Sequence, residues 1–295
     1  MTDRAAAPWF RFRIRLMFAA QSVPECLARF GAVVVTGASS GIGEEFVATI
    51  HSINPKTKYF NLSRTPPAAA LAGGQLTHCP ADLSTAAGQE AALVEIEKWL
   101  DAGGGVGELL LLNNSGFGTY GPFPDPGIER TLAMVDLNMR APVNLTARLL
   151  PRLRARGGAV VNIASTAAFQ PMPLFAVYAA TKSFVLNWSL SLWRELLGTN
   201  VHVLCVCPGP TSTNFFRGAG FSESPMPISY GQTSPQVVAA SLRALAARKP
   251  LVVSGWSNKF GAFVSSRLPR VWVTRLCYRI MQKMRMGPLT GPKRG

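Results

Sequence analysis

The chain has 295 residues, of which 48% are apolar, and a formal net charge of +15. That is enough length and apolar content for one large α/β domain with a sizeable core, or for two small ones. The charge sits at the ends: residues 1–30 carry five Lys/Arg against two acids, and residues 259–295 carry nine and no acid. A basic N-terminal segment (1–30), a mildly basic central domain (31–258) and a basic, apolar C-terminal extension (259–295) follow from this. Basic ends suit an acidic partner surface, either anionic lipid or nucleic acid.

The five cysteines show no CxxC and no metal spacing, and the three histidines are scattered. The cysteines therefore read as reduced thiols of a cytoplasmic protein, and no metal site is expected. In chain order, residues 9–20 are apolar but interrupted by Arg11, Arg13 and Arg15, so no clean signal-peptide core forms. Short apolar runs at Ala32–Val35, Tyr59–Leu62, Leu109–Leu112, Ala159–Ile163, Val201–Val206 and Leu251–Val253 have the composition of strands buried on both faces. Between them the spacing predicts helices near 42–52, 86–101, 129–150, 177–198 and 234–247. This alternation predicts a doubly wound parallel sheet of about seven strands, a Rossmann-type fold with helices on both faces. The uncharged stretch from Gly157 to Thr181 is long enough to span a bilayer, but Asn162, Gln170, Pro171 and Pro173 argue against it. Residues 217–235 form a long Gly/Pro/Ser-rich insertion, of a length that is usually functional or mobile.

The first strand runs into Thr36-Gly37-Ala38-Ser39-Ser40-Gly41-Ile42-Gly43 and then a helix. Glycines let the backbone turn sharply and approach a pyrophosphate. The following helix N-terminus offers free N–H groups and a positive dipole end to that anion. A strand–turn–helix context near the start of the domain marks this as a dinucleotide site. The second strand ends Asn61-Leu62-Ser63-Arg64-Thr65, with no acid to hold a ribose 2′-hydroxyl and with Arg64 available for a 2′-phosphate, which favours NADP over NAD.

Tyr178 and Lys182 lie four residues apart at the start of a predicted helix and so share a face. A cation beside a phenol favours the phenolate and lowers its pKa from about 10, which makes Tyr178 a candidate acid/base for a carbonyl/alcohol pair. Ser165 ends the preceding strand and can hydrogen-bond a substrate oxygen as charge develops on it.

In this order, the glycine turn, Ser165 and the Tyr178/Lys182 pair resemble the short-chain dehydrogenase/reductase family, over roughly Ala32 to Gly255. The resemblance implies that Asp82-Leu83 contacts the adenine and that Asn114, Ser115 and Gly116 follow the fourth strand beside the cofactor. It implies that Asn138 kinks its helix and holds a water in a proton relay, completing a tetrad with Ser165, Tyr178 and Lys182. Lys182 would also bind the nicotinamide ribose, and Pro208-Gly209 with Thr211 or Thr213 would touch the nicotinamide amide. Ser115 departs from the Ala more common in the family. The family commonly forms dimers or tetramers through the helices near 129–150 and 177–198, so a homodimer or homotetramer is expected.

Loops at the carboxyl ends of the strands carry Phe117, Phe169, Phe175, Phe215 and Phe216, which suits either a pocket for a bulky apolar carbonyl (ketoacyl, lipid-like, steroid-like or quinone-like) or a self-packed lid. The extension mixes aromatic and basic residues, as on anionic membrane surfaces, although core packing with snorkelling arginines has the same composition. The rival functions are a non-catalytic NADP sensor and an epimerase or dehydratase on the same fold. No recognition helix or aromatic–basic sheet speaks for nucleic acid.

Overall fold

The computed structural model describes residues 21–67, 75–213, 215, 219 and 231–283. The N-terminal basic segment up to residue 20, most of the 217–235 insertion with Phe216, Phe221, Met226 and Tyr230, and residues 284–295 lie outside the described residues.

Seven parallel strands form one sheet in the order β3-β2-β1-β4-β5-β6-β7. They are β1 (Phe30–Thr36), β2 (Lys58–Ser63), β3 (Leu76–Pro80), β4 (Glu108–Asn113), β5 (Gly158–Ile163), β6 (Val201–Cys207) and β7 (Leu251–Val253). Side chains alternate across a strand, and two apolar layers result. On one face Val33 and Val35 of β1 join Leu110 and Leu112 of β4 under α2 (Gly41–Ile53) and α7 (Ser234–Ala246). On the other, Ala32, Val34, Leu109 and Leu111 pack under α3 (Ala86–Asp101) and α5 (Ala141–Arg156). All four leucines of Leu109–Leu112 are fully buried, so truncating any one to Ala costs about 2–5 kcal/mol.

The helices begin where local chemistry supplies a cap. Ser22 and Glu25 form a capping box for α1 (Val23–Ala28), and Thr233 with Gln236 forms one for α7. The helix predicted across 129–150 is interrupted: α4 (Ile128–Val135) and α5 are separated by a π-turn at Asp136–Arg140. Pro142 has no N–H to give the Asn138 carbonyl four residues back. The turn relaxes instead to a five-residue bond from the Ala141 N–H to the Asp136 carbonyl.

The order of strands reverses after β1, so β1 and β4 flank the switch point where open α/β sheets bind ligands. Beyond β7, α8 (Trp256–Arg267) packs near a 3₁₀ turn at Thr166–Phe169, and α9 (Arg270–Lys283) returns toward the carboxyl edge of the sheet. No described helix is long and apolar enough to cross a membrane.

Candidate active site

The turn after β1 depends on its glycines. Gly37 and Gly41 have φ of 74° and 66°, in the left-handed region. A Cβ at Gly37 would stand 2.7 Å from the Ser115 Oγ, and one at Gly43 would stand 2.3 Å from the Gly37 carbonyl oxygen. The turn is stitched from both sides. The Gly37 N–H donates to the Leu62 carbonyl at 2.8 Å, and the Ala38 N–H donates to the Asn61 Oδ1 at 2.9 Å. From β4, the Asn114 Nδ2 donates to the carbonyls of Thr36 and Gly37, each at 3.0 Å. The N–H groups of Asn114 and Ser115 donate to the Thr36 hydroxyl at 3.0 and 2.8 Å. Ser40 precedes α2 without its side chain capping the helix.

At the end of β2, Arg64 is exposed and Ser63 turns inward, its hydroxyl donating to the Thr65 carbonyl at 2.7 Å. The Asp82 carboxylate accepts from the hydroxyl and N–H of Ser84 at 2.6 and 3.0 Å. Those bonds, helped by Arg64, hold its pKa below the usual carboxylate value.

Ser165 caps the 3₁₀ turn, its Oγ accepting the Ala167 N–H at 3.1 Å, and its hydroxyl lies near enough to Tyr178 to favour the phenolate. Tyr178 lies in the first turn of α6 (Ala176–Glu195), its ring 5.1 Å from that of Phe215 and 6.0 Å from that of Phe175. One turn later Lys182 is buried. Its Nζ donates to the Ile163 carbonyl at 2.9 Å and stands 5.9 Å from the Tyr178 ring centroid. A Cβ at Gly116 would fall 2.9 Å from the Asn138 Oδ1 and 3.3 Å from the Lys182 Nζ, so a side chain there would have to displace the Asn138 amide. The Asn138 amide is held by Phe117 and Thr181. Its Nδ2 donates to the Phe117 carbonyl at 3.0 Å and the Thr181 hydroxyl at 3.1 Å, and its Oδ1 accepts the Phe117 N–H at 3.2 Å.

Burial raises the Tyr178 pKa to about 12, with the Ser165 hydroxyl acting the other way, and lowers that of Lys182 to about 8. The expected depression of Tyr178 toward neutrality is thus corrected: burial pushes the phenol up instead. At pH 7 the phenol is protonated, in the form that donates.

One cavity of about 640 Å³ joins these parts. Gly37, Ser39, Ser40, Gly41, Ile42, Arg64, Asp82, Leu83, Asn114, Ser115 and Gly116 line it on the glycine-turn side, and Ser165, Tyr178, Lys182, Pro208, Gly209, Thr211 and Thr213 line its centre. Phe117, Met172, Phe175 and Phe215 give it an apolar wall. Gly43 stays behind the turn. Asn138 lies behind the main cavity and shares with Lys182 and Asn113 a second cavity of about 10 Å³, about the space of one water. The Asn113 Oδ1 is buried without a hydrogen-bond partner. Phe169, expected among the substrate residues, does not reach the main cavity. The 3₁₀ turn carries it to a cluster with Val185, Leu186, Cys205 and Cys207. Phe216 lies outside the described residues. The sequence did not assign Cys277, Ile280 and Met281 of α9 to the site, yet all three line the cavity. Their signal is the i, i+4, i+8 row Val273, Cys277, Met281, whose two ends are buried.

A family model described as short chain dehydrogenase matches residues 31–221. The chain is 32% identical over 189 residues to the ketoacyl reductase HetN of Nostoc sp., a match covering 61% of this chain and 63% of that protein. It is 32% identical over 192 residues to a serine 3-dehydrogenase of Agrobacterium fabrum, covering 63% and 74% of the two chains. Among solved structures, a short-chain dehydrogenase from Sphingobium yanoikuyae in complex with NADPH superposes with a TM-score of 0.66 at 28% identity, over 81% of this chain and 94% of that one. A 7β-hydroxysteroid dehydrogenase shares the fold with a TM-score of 0.72 at 18% identity, over 85% and 98%. The chain belongs to the short-chain dehydrogenase family.

Proposed function

We propose that the chain is an NADPH-dependent reductase of a bulky, apolar ketone, with Tyr178 as the proton donor. The observation that carries this is the single cavity with the glycine turn and Arg64 on one side, Tyr178 with Ser165 and Lys182 at its centre, and an aromatic wall beyond.

The residues fit a dinucleotide. The left-handed glycines leave a cradle with no side chain, and the N-terminus of α2 opens into it. Arg64, with no acid at the end of β2, suits a 2′-phosphate. Asp82 and Leu83 would meet the adenine, Asn114, Ser115 and Gly116 the ribose side, and Pro208, Gly209, Thr211 and Thr213 the nicotinamide end. NADPH when bound supplies the hydride.

The chain's own residues handle the proton and the developing charge. The Ser165 hydroxyl hydrogen-bonds the ketone oxygen, and Tyr178, protonated at neutral pH, gives that oxygen its proton. The Lys182 ammonium, fixed by the Ile163 carbonyl, stabilises the phenolate left behind. Asn138 orients the strand-end segment at Phe117 and borders the water-sized cavity beside Lys182, through which the proton would be restored.

The relatives named above reduce a ketoacyl group or oxidise serine. The aromatic wall and the three α9 residues favour the apolar end of that range. A cytoplasmic protein with peripheral contact to an anionic membrane surface, assembled as a homodimer or homotetramer, completes this reading. Light scattering checks the assembly.

The test is NADPH oxidation with a panel of ketones by wild type and Tyr178→Phe. The variant is expected to lose a factor of about 10²–10⁴ in turnover while still binding NADPH. Equal turnover by the variant removes Tyr178 from the chemistry. NADPH binding without turnover of any ketone favours a sensor, and turnover without net NADPH consumption favours an epimerase or dehydratase.

A further inference from the structure

Two helices beyond β7 present an unusual surface. Nine of the sixteen large apolar side chains that the described residues leave exposed fall between Trp256 and Ile280, a concentration rather than the usual scatter. On α8, Trp256, Phe260 and Phe263 follow i, i+4, i+7 spacing at 80%, 60% and 56% exposure, so they form one outward stripe. On α9, Trp272, Leu276 and Ile280 form another, at 66%, 53% and 47%. Both stripes are edged with exposed cations: Lys259 and Arg267 on α8, and Arg270, Arg275 and Arg279 on α9. No described carboxylate pairs with any of them, and residues 224–295 contain no Asp or Glu.

Ile280 belongs to two surfaces at once. It is half exposed at the end of the α9 stripe, and it lines the cavity that holds Tyr178. Cys277 and Met281, on the neighbouring inward row, line the same cavity. Met281 belongs to one buried cluster with Tyr120, Phe175 and Tyr178. The outer apolar stripe of α9 is therefore continuous with the rim of the catalytic cavity.

We infer that the α8–α9 face docks on an anionic bilayer, and that α9 is the ramp along which a ketone dissolved in that bilayer reaches Tyr178. The inference rests on the reductase reading for the chemistry, but not for the docking. Charge selects the occupant. A two-fold contact with a second copy would set Arg275 and Arg279 against an equally acid-free surface, whereas anionic headgroups neutralise them and the interfacial zone receives tryptophan and other apolar side chains. The substrate class follows: a lipid-like ketone whose tail stays among apolar side chains or lipid from membrane to active site.

The experiment uses the full chain with vesicles of phosphatidylcholine alone or mixed with phosphatidylglycerol. Flotation reads binding, and NADPH oxidation is followed with a long-chain ketone dissolved in the vesicles and a short water-soluble ketone. Wild type is expected to float with the anionic vesicles only and to be released by salt. Arg275→Gln/Arg279→Gln is expected to weaken that binding about 30-fold. Its rate on the vesicle-borne ketone should fall in proportion to the bound fraction, and its rate on the soluble ketone should stay unchanged. Trp272→Ser/Leu276→Ser is expected to behave in the same way without changing charge. Wild type that fails to float with anionic vesicles at low salt overturns the inference. So does self-association that these substitutions abolish in the absence of vesicles. A vesicle-borne rate that ignores both double variants overturns the ramp. If neither ketone is turned over by any form, the reductase reading has failed, and flotation still decides the docking by itself.

Discussion

Replacing Lys182 by Met removes the buried cation beside Tyr178. Proton donation leaves a negative charge on the phenol, and the ammonium stands 5.9 Å from the ring centroid. At an effective dielectric constant of about 20, a unit charge at that distance is stabilised by about 3 kcal/mol, which is roughly a hundredfold in rate. The advantage lasts only while the amine is charged, and burial has brought its pKa down to about 8. A lysine with a lowered pKa is cationic below that value and neutral above it. Ketone reduction by wild type should therefore hold steady at neutral pH and fall as the pH rises through about 8. Tyr178, raised to about 12, stays protonated across this window and cannot cause the fall. Steady-state NADPH oxidation at saturating NADPH, measured across the pH range for wild type and Lys182→Met, separates the contributions. The variant should be about a hundredfold slower at neutral pH and should lack the descent near 8. A wild-type profile flat through pH 9, or a variant that keeps both the rate and the descent, refutes this account of Lys182.

Arg64→Ala should weaken NADPH binding about ten- to a hundredfold, the worth of a hydrogen bond to a charged group, and leave NADH binding alone. An unchanged ratio in calorimetric titrations would assign the 2′-phosphate to other residues. Gly43→Ala puts a Cβ 2.3 Å from the Gly37 carbonyl oxygen and 2.4 Å from the Asn114 Nδ2. The turn must open at about 1–3 kcal/mol, and NADPH affinity should drop with it; a wild-type affinity contradicts the geometry. His202 is buried, its Nε2–H donating to the Lys249 carbonyl at 3.1 Å, and burial lowers its pKa to about 4. Between pH 4 and the unfolded value near 6.5 the unfolded chain takes up the extra proton. Stability from this ring is complete above about pH 6.5 and is lost on acidification, by up to about 3 kcal/mol near pH 4. Denaturant midpoints across this range should fall more steeply for wild type than for His202→Gln, and parallel curves would exonerate the ring.

The sheet was legible in the sequence where burial is two-sided. Six strands coincide with mainly apolar runs: β1, β2, β4, β5 and β6 are central and show a packed layer on both faces, while β7, at one edge of the sheet, is marked by its three apolar residues alone. The strand that was missed is β3, Leu76-Thr77-His78-Cys79-Pro80, the opposite edge, whose polar composition does not mark it and whose pairing comes from its neighbour. The glycine turn was legible because its conformation leaves no room for a side chain. The break at Asp136–Arg140 was not legible in the periodicity, which runs on through it; the family resemblance alone implied a kink there, at Asn138. Its one local sign is Pro142, four residues after Asn138. Phe169 was misread because a strand-end aromatic looks the same whether the next turn points it toward the cavity or away from it. The share of α9 in the cavity was hidden by Arg275 and Arg279, which sit among its apolar residues and blur the inward row formed by Val273, Cys277 and Met281.

The hydrogen bonds from Asn114 and Ser115 to Thr36 and Gly37 join residues 77 to 79 positions apart. The turn on its own is a short flexible loop; it acquires its shape only when β4 has taken its place beside β1. An unfolded or half-assembled chain thus has nothing with which to grip a dinucleotide, and binding energy flows entirely to the finished sheet. Ligand at a hundred times its dissociation constant would add about 2.7 kcal/mol to the native state. The nucleotide pool of the cell would then act as a folding partner, holding the central strands together in proportion to how far it saturates the site.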